Sequence, residues 1–248
     1  MCETNCKGLI FEPLTLKEFL ASCNKDYLES SLSNSQKSDF KQKVAQYLES
    51  YEQNKGHNEG AIVANALAPF LKELGFHAQP AYKQQGNSEI DLSLLKDSKV
   101  EIIIEAKKQP INAKEMFSPN KPNCKALHEC ILYYFREREG DSQTLIPNVN
   151  LRFIIITDFY QFYIFSAKDF EAQIYKNKAI SNLYKTLKKE GTLINNQQAF
   201  YTEIQKILVK QLNGGGAEEN LLEDSALTYT AFHCILYTYD AADDITRV

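Results

Sequence analysis

Two acids and an amine stand near one another in the middle of the chain: Asp91, Glu105 and Lys107. Glu105 and Lys107 are two apart in a run of strand-forming residues, so both side chains leave one face of a strand. Asp91 belongs to an apolar segment, Ile90–Leu95, joined to Val100–Ala106 by the turn-like Lys96-Asp97-Ser98-Lys99. A three-residue turn, Asp97–Lys99, sets Asp91 directly across from Glu105, whereas a two-residue turn sends it to the other side. In the first register both carboxylates and the lysine converge at the end of a hairpin. Hard divalent cations take oxygen ligands, and Mg²⁺ is commonly held by one or two carboxylates with waters and phosphate oxygens. The carbonyl of Ala106, between the acid and the lysine, is a further candidate ligand. Such an ion generates a nucleophile from water and stabilises charge on phosphorus, and a lysine beside it orients that water or neutralises the charge. The plain alternative is a solvated hairpin with a surface ion pair. The apolar Ile102-Ile103-Ile104 ahead of Glu105 argues against that, because exposed hairpins rarely carry such a run.

Glu59 is the next candidate. Asn58 is a good N-cap, and Ile62, Val63, Ala66, Leu67, Phe70, Leu71 and Leu74 follow at helical spacing, with Gly75 placed to end the helix and Pro69 placed to kink it. Glu59 heads this buried stripe. Two readings stand: a link to the water shell of a metal ion, or a first-turn acid favoured by the helix dipole. Lys107, Lys108, Lys114, Lys121 and Lys125 form a basic cluster in an acidic chain; Lys108, Lys114 and Lys125 are candidate DNA-phosphate contacts, or part of an ordinary solvated loop. On a helix expected over Lys125–Arg138, Leu127, Cys130, Ile131 and Tyr134 mark the core face. His128 and Glu129 fall away from it and read as a solvent-facing ion-pair ladder, with an orientation toward the sheet as the alternative.

The elements that must position these residues are strands interrupted by helices. Strands are expected at Leu151–Thr157 and Gln161–Ser166, with two or three helices over 168–212, which gives an α/β fold with a small central mixed sheet flanked by helices. With 248 residues, 44% of them hydrophobic, the chain can bury a sizeable core. Residues 1–57 read as a helical lead-in and 58–213 as the main domain. Residues 214–248, opening on Gly214-Gly215-Gly216, read as a linker and a non-native or disordered tail, and Cys234–Asp244 looks like a translated sequencing adaptor. A net charge of -4 excludes nucleic-acid binding by bulk charge, so any DNA contact must be local. The six cysteines have no CxxC pair or zinc spacing and read as reduced thiols. No apolar run approaches a membrane span and no signal-peptide core is evident, so the expected location is cytoplasmic, with no membrane partner.

A helical glutamate, then an aspartate, then Glu-x-Lys on adjacent strands resembles the PD-(D/E)xK nuclease superfamily. The pattern is similar in particular to the N-terminal nuclease domain of type IIG restriction endonuclease-methyltransferases. The segments that carry the resemblance are Ile90–Leu92, Ile103–Lys108, Ala113–Met116, Lys125–Arg138, Phe153–Asp158 and Tyr163–Glu171, in order over about residues 40–212. The resemblance implies a restriction-endonuclease-like fold and Mg²⁺-dependent hydrolysis of phosphodiesters in double-stranded DNA, with Mn²⁺ as a substitute. It assigns Asp91 and Glu105 as metal ligands, Lys107 as the catalytic lysine and Glu59 as the helical glutamate. Full-length relatives of that kind continue into a methyltransferase and a target-recognition region. The 248 residues hold no NPPY-type loop and no glycine-rich cofactor motif, so methylation is not expected of them. The expectation is an endonuclease module truncated before the methyltransferase, which would act in cis or trans, with a transient homodimer as a further candidate partner. The alternative from another class is a catalytically silent DNA-binding or docking fragment.

Overall fold

The computed structural model describes residues 9–29, 31–109, 114–141, 145–212 and 226–234. Along the chain run β1 (Ile10–Pro13), α1 (Leu16–Cys23), α2 (Asp26–Glu29), α3 (Asn34–Asn54), α4 (Glu59–Ile62), a π-helical turn (Val63–Leu67) and α5 (Ala68–Glu73). Then come β2 (His77–Lys83), β3 (Glu89–Lys96), β4 (Lys99–Ala106), α6 (Lys125–Glu139), β5 (Phe153–Thr157) and β6 (Gln161–Ser166). Last are α7 (Ala167–Phe170), a second π-helical turn (Glu171–Tyr175), α8 (Lys178–Lys189), α9 (Thr192–Asn195), α10 (Gln197–Leu212) and β7 (Ala226–His233).

The strands make one seven-stranded mixed sheet in the order β1-β7-β6-β5-β4-β3-β2. β4 and β5 are parallel neighbours, and the chain crosses between them through α6. One face of the sheet is covered by α3, α4 and α5: Tyr47, Leu48, Ile62, Leu67 and Phe70 bury against Leu92, Leu94, Ile102 and Ile104. The other face is covered by α6, and α10 packs against α6 in turn. The fold is thus mixed α/β with helices on both sides of the sheet.

Local chemistry explains the element ends. The Asn58 side chain accepts from the Ala61 N–H at 2.9 Å and starts the first helix of the stripe. Pro69 does not break that stripe. Its missing donor is absorbed by the π-helical turn just before it, where the Ala68 N–H reaches back five residues to the Val63 carbonyl. Gly75, at φ +92°, ends the helix, and the Phe76 N–H closes it onto the Leu71 carbonyl.

Three features differ from the sequence reading. β2 was not anticipated. Residues 1–57 are more than a lead-in, because Ile10–Pro13 forms the edge strand β1 and α3 covers one sheet face. The segment read as a linker and non-native or disordered tail contributes β7, which lies inside the sheet, parallel to β1 and antiparallel to β6. Leu227 and Tyr229 are buried in the same apolar cluster as α6, and the Cys234 N–H donates to the Tyr160 carbonyl at 2.7 Å. Residues 235–244, the rest of the adaptor-like stretch, lie outside the described residues.

A fully buried leucine at this position has a measurable consequence. Leu227→Ala is expected to lower the unfolding free energy by about 2–4 kcal/mol in a urea titration. A change within about 0.5 kcal/mol, as at a surface site, would show that β7 is not part of the cooperative core.

Candidate functional site

The site begins with the β3–β4 hairpin. Asp97 and Ser98 both have positive φ, 50° and 62°, the signature of a two-residue type I′ turn. Lys96 pairs with Lys99 and Leu95 with Val100, the register that would send Asp91 to the wrong side. A bulge corrects it. Between Leu95↔Val100 and Leu94↔Ile102 the register shifts, which leaves Glu101 as the extra residue of β4. From there Leu92 pairs with Ile104, and one step further Asp91 stands opposite Glu105. The turn is therefore the two-residue alternative, yet the acids meet because a two-residue turn and a one-residue bulge add up to the offset of a three-residue turn.

Ladder pairing of β3 with β4 stops at Leu92↔Ile104. Beyond it the Asp91 carboxylate takes over, and its Oδ2 accepts the Ala106 N–H at 2.9 Å. On the other side of Asp91, β2 is irregular at Ala81, a non-glycine residue at φ +53°. The Asp91 side chain thus sits where the strands part.

Glu105 and Lys107 point from β4 toward α6 and are buried at 1% and 3% exposure. The Lys107 ammonium donates to Glu105 Oε1, stands 2.9 Å from Glu129 Oε2, and lies 3.8 Å from Glu59 Oε1. Glu59, at the start of α4, also accepts the Lys108 N–H at 2.6 Å, so it ties the first helix of the stripe to the end of β4. Glu59, Asp91, Glu105 and Lys107 therefore come together. Glu59 and Asp91 remain partly exposed and form the open rim; Glu105 and Lys107 form the floor.

Glu129 takes the alternative orientation, toward the sheet, and not the solvent-facing one that sequence reasoning favoured. It is buried against Lys107 and is not part of a solvent-facing ladder. α6 is buried from Ala126 to Glu137, so it has no solvent face along that length. His128 is buried too, its Nε2 2.6 Å from Asn123 Oδ1, and burial pulls its imidazole down to about 4. The lysines offered as phosphate contacts are less gathered. Lys108 Nζ donates to the His57 carbonyl at 2.7 Å, and Lys125 pairs with Glu115 at 3.0 Å and lies 3.9 Å from Glu129. Lys114 is exposed and offers its carbonyl to Lys121 Nζ.

The electrostatics are unbalanced. Burial pushes the Asp91 carboxyl up to about 6, against the pull of Lys107 and the Ala106 N–H. Burial, then repulsion from Asp91 and Glu129, pushes Glu105 well above the usual carboxylate range. For Lys107 burial acts downward but is outweighed by Glu105, Glu129 and Asp91, so the amine titrates above its usual range and is an ammonium at neutral pH.

Among the described residues, no three His, Cys, Asp or Glu side chains are grouped so as to hold a metal ion by themselves. The expected set is smaller: two carboxylates and the Ala106 carbonyl. One observation fits it. Glu105 Oε2 is buried and met by no N–H or hydroxyl donor, with the Glu129 carboxyl group beside Glu105, so it is a lone pair that a cation would satisfy. The donors are all hard oxygens, which suits Mg²⁺ or Mn²⁺ rather than a soft metal.

Residues 17–218 match the family described as a domain of unknown function, DUF7149. The chain belongs to this family. No curated protein and no solved structure matches it. The DUF7149 match runs from α1 to just past α10, so it includes Glu59, Asp91, Glu105, Lys107 and Glu129. No helix among the described residues is long and apolar enough to cross a membrane.

A raised carboxyl pKa makes stability fall as pH rises between the unfolded and folded values. For Asp91 that window runs from 3.8 to about 6, with the stabilisation present below it and lost above it. Asp91→Asn keeps an oxygen for the Ala106 N–H and removes the charge. Without divalent metal it is expected to stabilise the protein at neutral pH by about 1–2 kcal/mol, and the gain should vanish toward about pH 4. Thermal melts of both proteins across that range check the sign; an Asn variant that is less stable at neutral pH would reverse it.

Proposed function

We propose that this DUF7149 chain is a Mg²⁺-dependent DNA endonuclease module of a type IIG restriction-modification enzyme, with a PD-(D/E)xK restriction-endonuclease-like fold. The observation that carries the reading is the convergence of Asp91, Glu105 and Lys107 at a strand end, with Glu105 Oε2 buried and met by no N–H or hydroxyl donor. The mixed sheet flanked by helices is compatible with that fold.

In this reading Asp91, Glu105 and the Ala106 carbonyl hold the ion. When bound, it supplies Lewis acidity to a phosphoryl oxygen and makes water more acidic. The remaining work belongs to the protein. Asp91 and Glu105 lie one step past the last ladder pair of adjacent strands, and the Ala106 N–H held by Asp91 ties the two strand ends together. Lys107 is held as an ammonium, which suits it to neutralise charge on the phosphoryl oxygens as water attacks phosphorus; an ammonium has no lone pair to act as a base. The bond that breaks is that between phosphorus and the leaving sugar oxygen, which takes up a proton. Glu59 holds the Lys108 N–H, fixing the backbone just past Lys107. The exposed Lys114 is the lysine most free to meet the DNA backbone. A cytoplasmic location, duplex DNA as substrate and a methyltransferase half in cis or trans complete the proposal.

The test is cleavage. Purified protein with Mg²⁺ or Mn²⁺ is expected to nick or cut duplex DNA, and a chelator to stop it. Lys107→Ala should lower the rate by at least about 100-fold without altering the circular dichroism spectrum, and Glu105→Gln should do the same. Wild-type protein that cuts no duplex, even with the methyltransferase half supplied, would leave a DNA-binding or docking module as the reading.

A further inference from the structure

The Lys107 ammonium is engaged unequally by its neighbours. It hydrogen-bonds Glu105 Oε1, whereas Glu129 Oε2, 2.9 Å away, lies outside hydrogen-bonding alignment; no N–H or hydroxyl donor meets that oxygen, and its carboxyl group is within hydrogen-bonding reach of the Glu105 carboxyl group. Glu129 is itself buried, and its other oxygen is 3.9 Å from Lys125. The structure therefore contains a second buried carboxylate within reach of the ammonium, to which the ammonium is not now aligned. Two buried carboxyl groups set against one another are costly, so the presence of Glu129 beside the only buried lysine among the described residues calls for a use.

We propose that Glu129 is a positioning residue for Lys107, which keeps the ammonium in the site when a divalent cation engages Glu105. This rests on the metal-site reading above. A cation on Glu105 removes the acceptor to which Lys107 is now aligned. At 3% exposure Lys107 cannot turn to water for a replacement. A small rotation about the end of its side chain brings one of its three N–H donors onto Glu129 Oε2. Glu59 Oε1, at 3.8 Å, is too far for a hydrogen bond without a larger shift. With Glu129 neutralised, Lys107 has no strong buried acceptor but Glu105, and it competes with the cation for that carboxylate.

The test is a double-substitution cycle read by Mn²⁺ binding in calorimetry, on the full chain. Glu129→Gln is expected to weaken Mn²⁺ binding by about tenfold or more when Lys107 is present. In the Lys107→Met background the same substitution should change it by less than about threefold, because no ammonium needs a new partner. Equal weakening in both backgrounds means that Glu129 attracts or ligates the ion itself, and overturns the proposal; so does no weakening in either. Mn²⁺ uptake without this coupling sinks only the role of Glu129. A wild type that takes up no Mn²⁺ sinks the metal site and this inference together. A second measurement needs no variant. In wild-type protein, acylation of Lys107 by acetic anhydride, followed by mass spectrometry, should stay low both without and with saturating Mn²⁺. A rise on adding Mn²⁺ would mean that the ammonium is released to solvent and not passed to Glu129.

Discussion

The site is organised by one buried ammonium. Lys107 has carboxylates of Glu105, Glu129 and Glu59 within 4 Å, and Asp91 adds a fourth negative charge nearby. Burial is the main cause of the upward displacement of Asp91 and Glu105, and repulsion among the four acids around one cation adds to it. Removing one member of such a group strands the others, so the cluster constrains every element that contributes to it. Those elements are the first helix of the Asn58 stripe, the β3–β4 hairpin and α6. The rest of the fold holds these three in register.

α6 shows how packing overrides a reading based on one helix. Leu127, Cys130, Ile131 and Tyr134 mark a core face correctly, in a cluster with β5, β6 and α10, but another side of the helix is also covered, where Tyr133 joins Val100 and Ile103 of β4. A helix between a sheet and a further helical layer needs apolar residues nearly all round, with polar ones only where a partner waits. His128, Glu129, Arg136 and Glu137 are those exceptions. Arg136 donates to the carbonyls of Gln85 and Leu193, and Glu137 accepts from Gln84 and Asn148. In the sequence these four look like a charged surface. The cue that distinguishes them is the absence of any two-residue polar stretch between Ala126 and Arg136 other than His128-Glu129 itself.

The strands were legible where apolar runs are long and lie between clear turns. Ile90–Leu95, Val100–Ala106 and Gln161–Ser166 correspond to β3, β4 and β6, and Leu151–Thr157 holds β5. β2 and β7 were not, for physical reasons. β2 is an edge strand containing Pro80, and a proline is tolerated at an edge although it weakens the strand pattern. β7 carries strand-forming residues, Leu227-Thr228-Tyr229-Thr230, but it is separated from α10 by a long glycine-bearing stretch, and its partners are β6 and the remote β1. Its place depends on contacts across more than 200 residues of chain, which local composition does not encode.

The meeting of Asp91 with Glu105 shows the same limit at the scale of one residue. The types were readable, and so was the strand on which each sits. The register was not, because it results from two local irregularities that offset one another: a turn one residue shorter than the acids require, and a bulge at Glu101 that restores the step. The bulge is anchored from outside the hairpin. The Arg152 N–H donates to the Glu101 carbonyl at 2.8 Å, and its guanidinium pairs with the Glu101 side chain at 3.1 Å. A residue just before β5 thus steadies the offset that aligns Asp91 with Glu105. The acid pair is accordingly a property of three neighbouring strands, although only two of them carry its carboxylates.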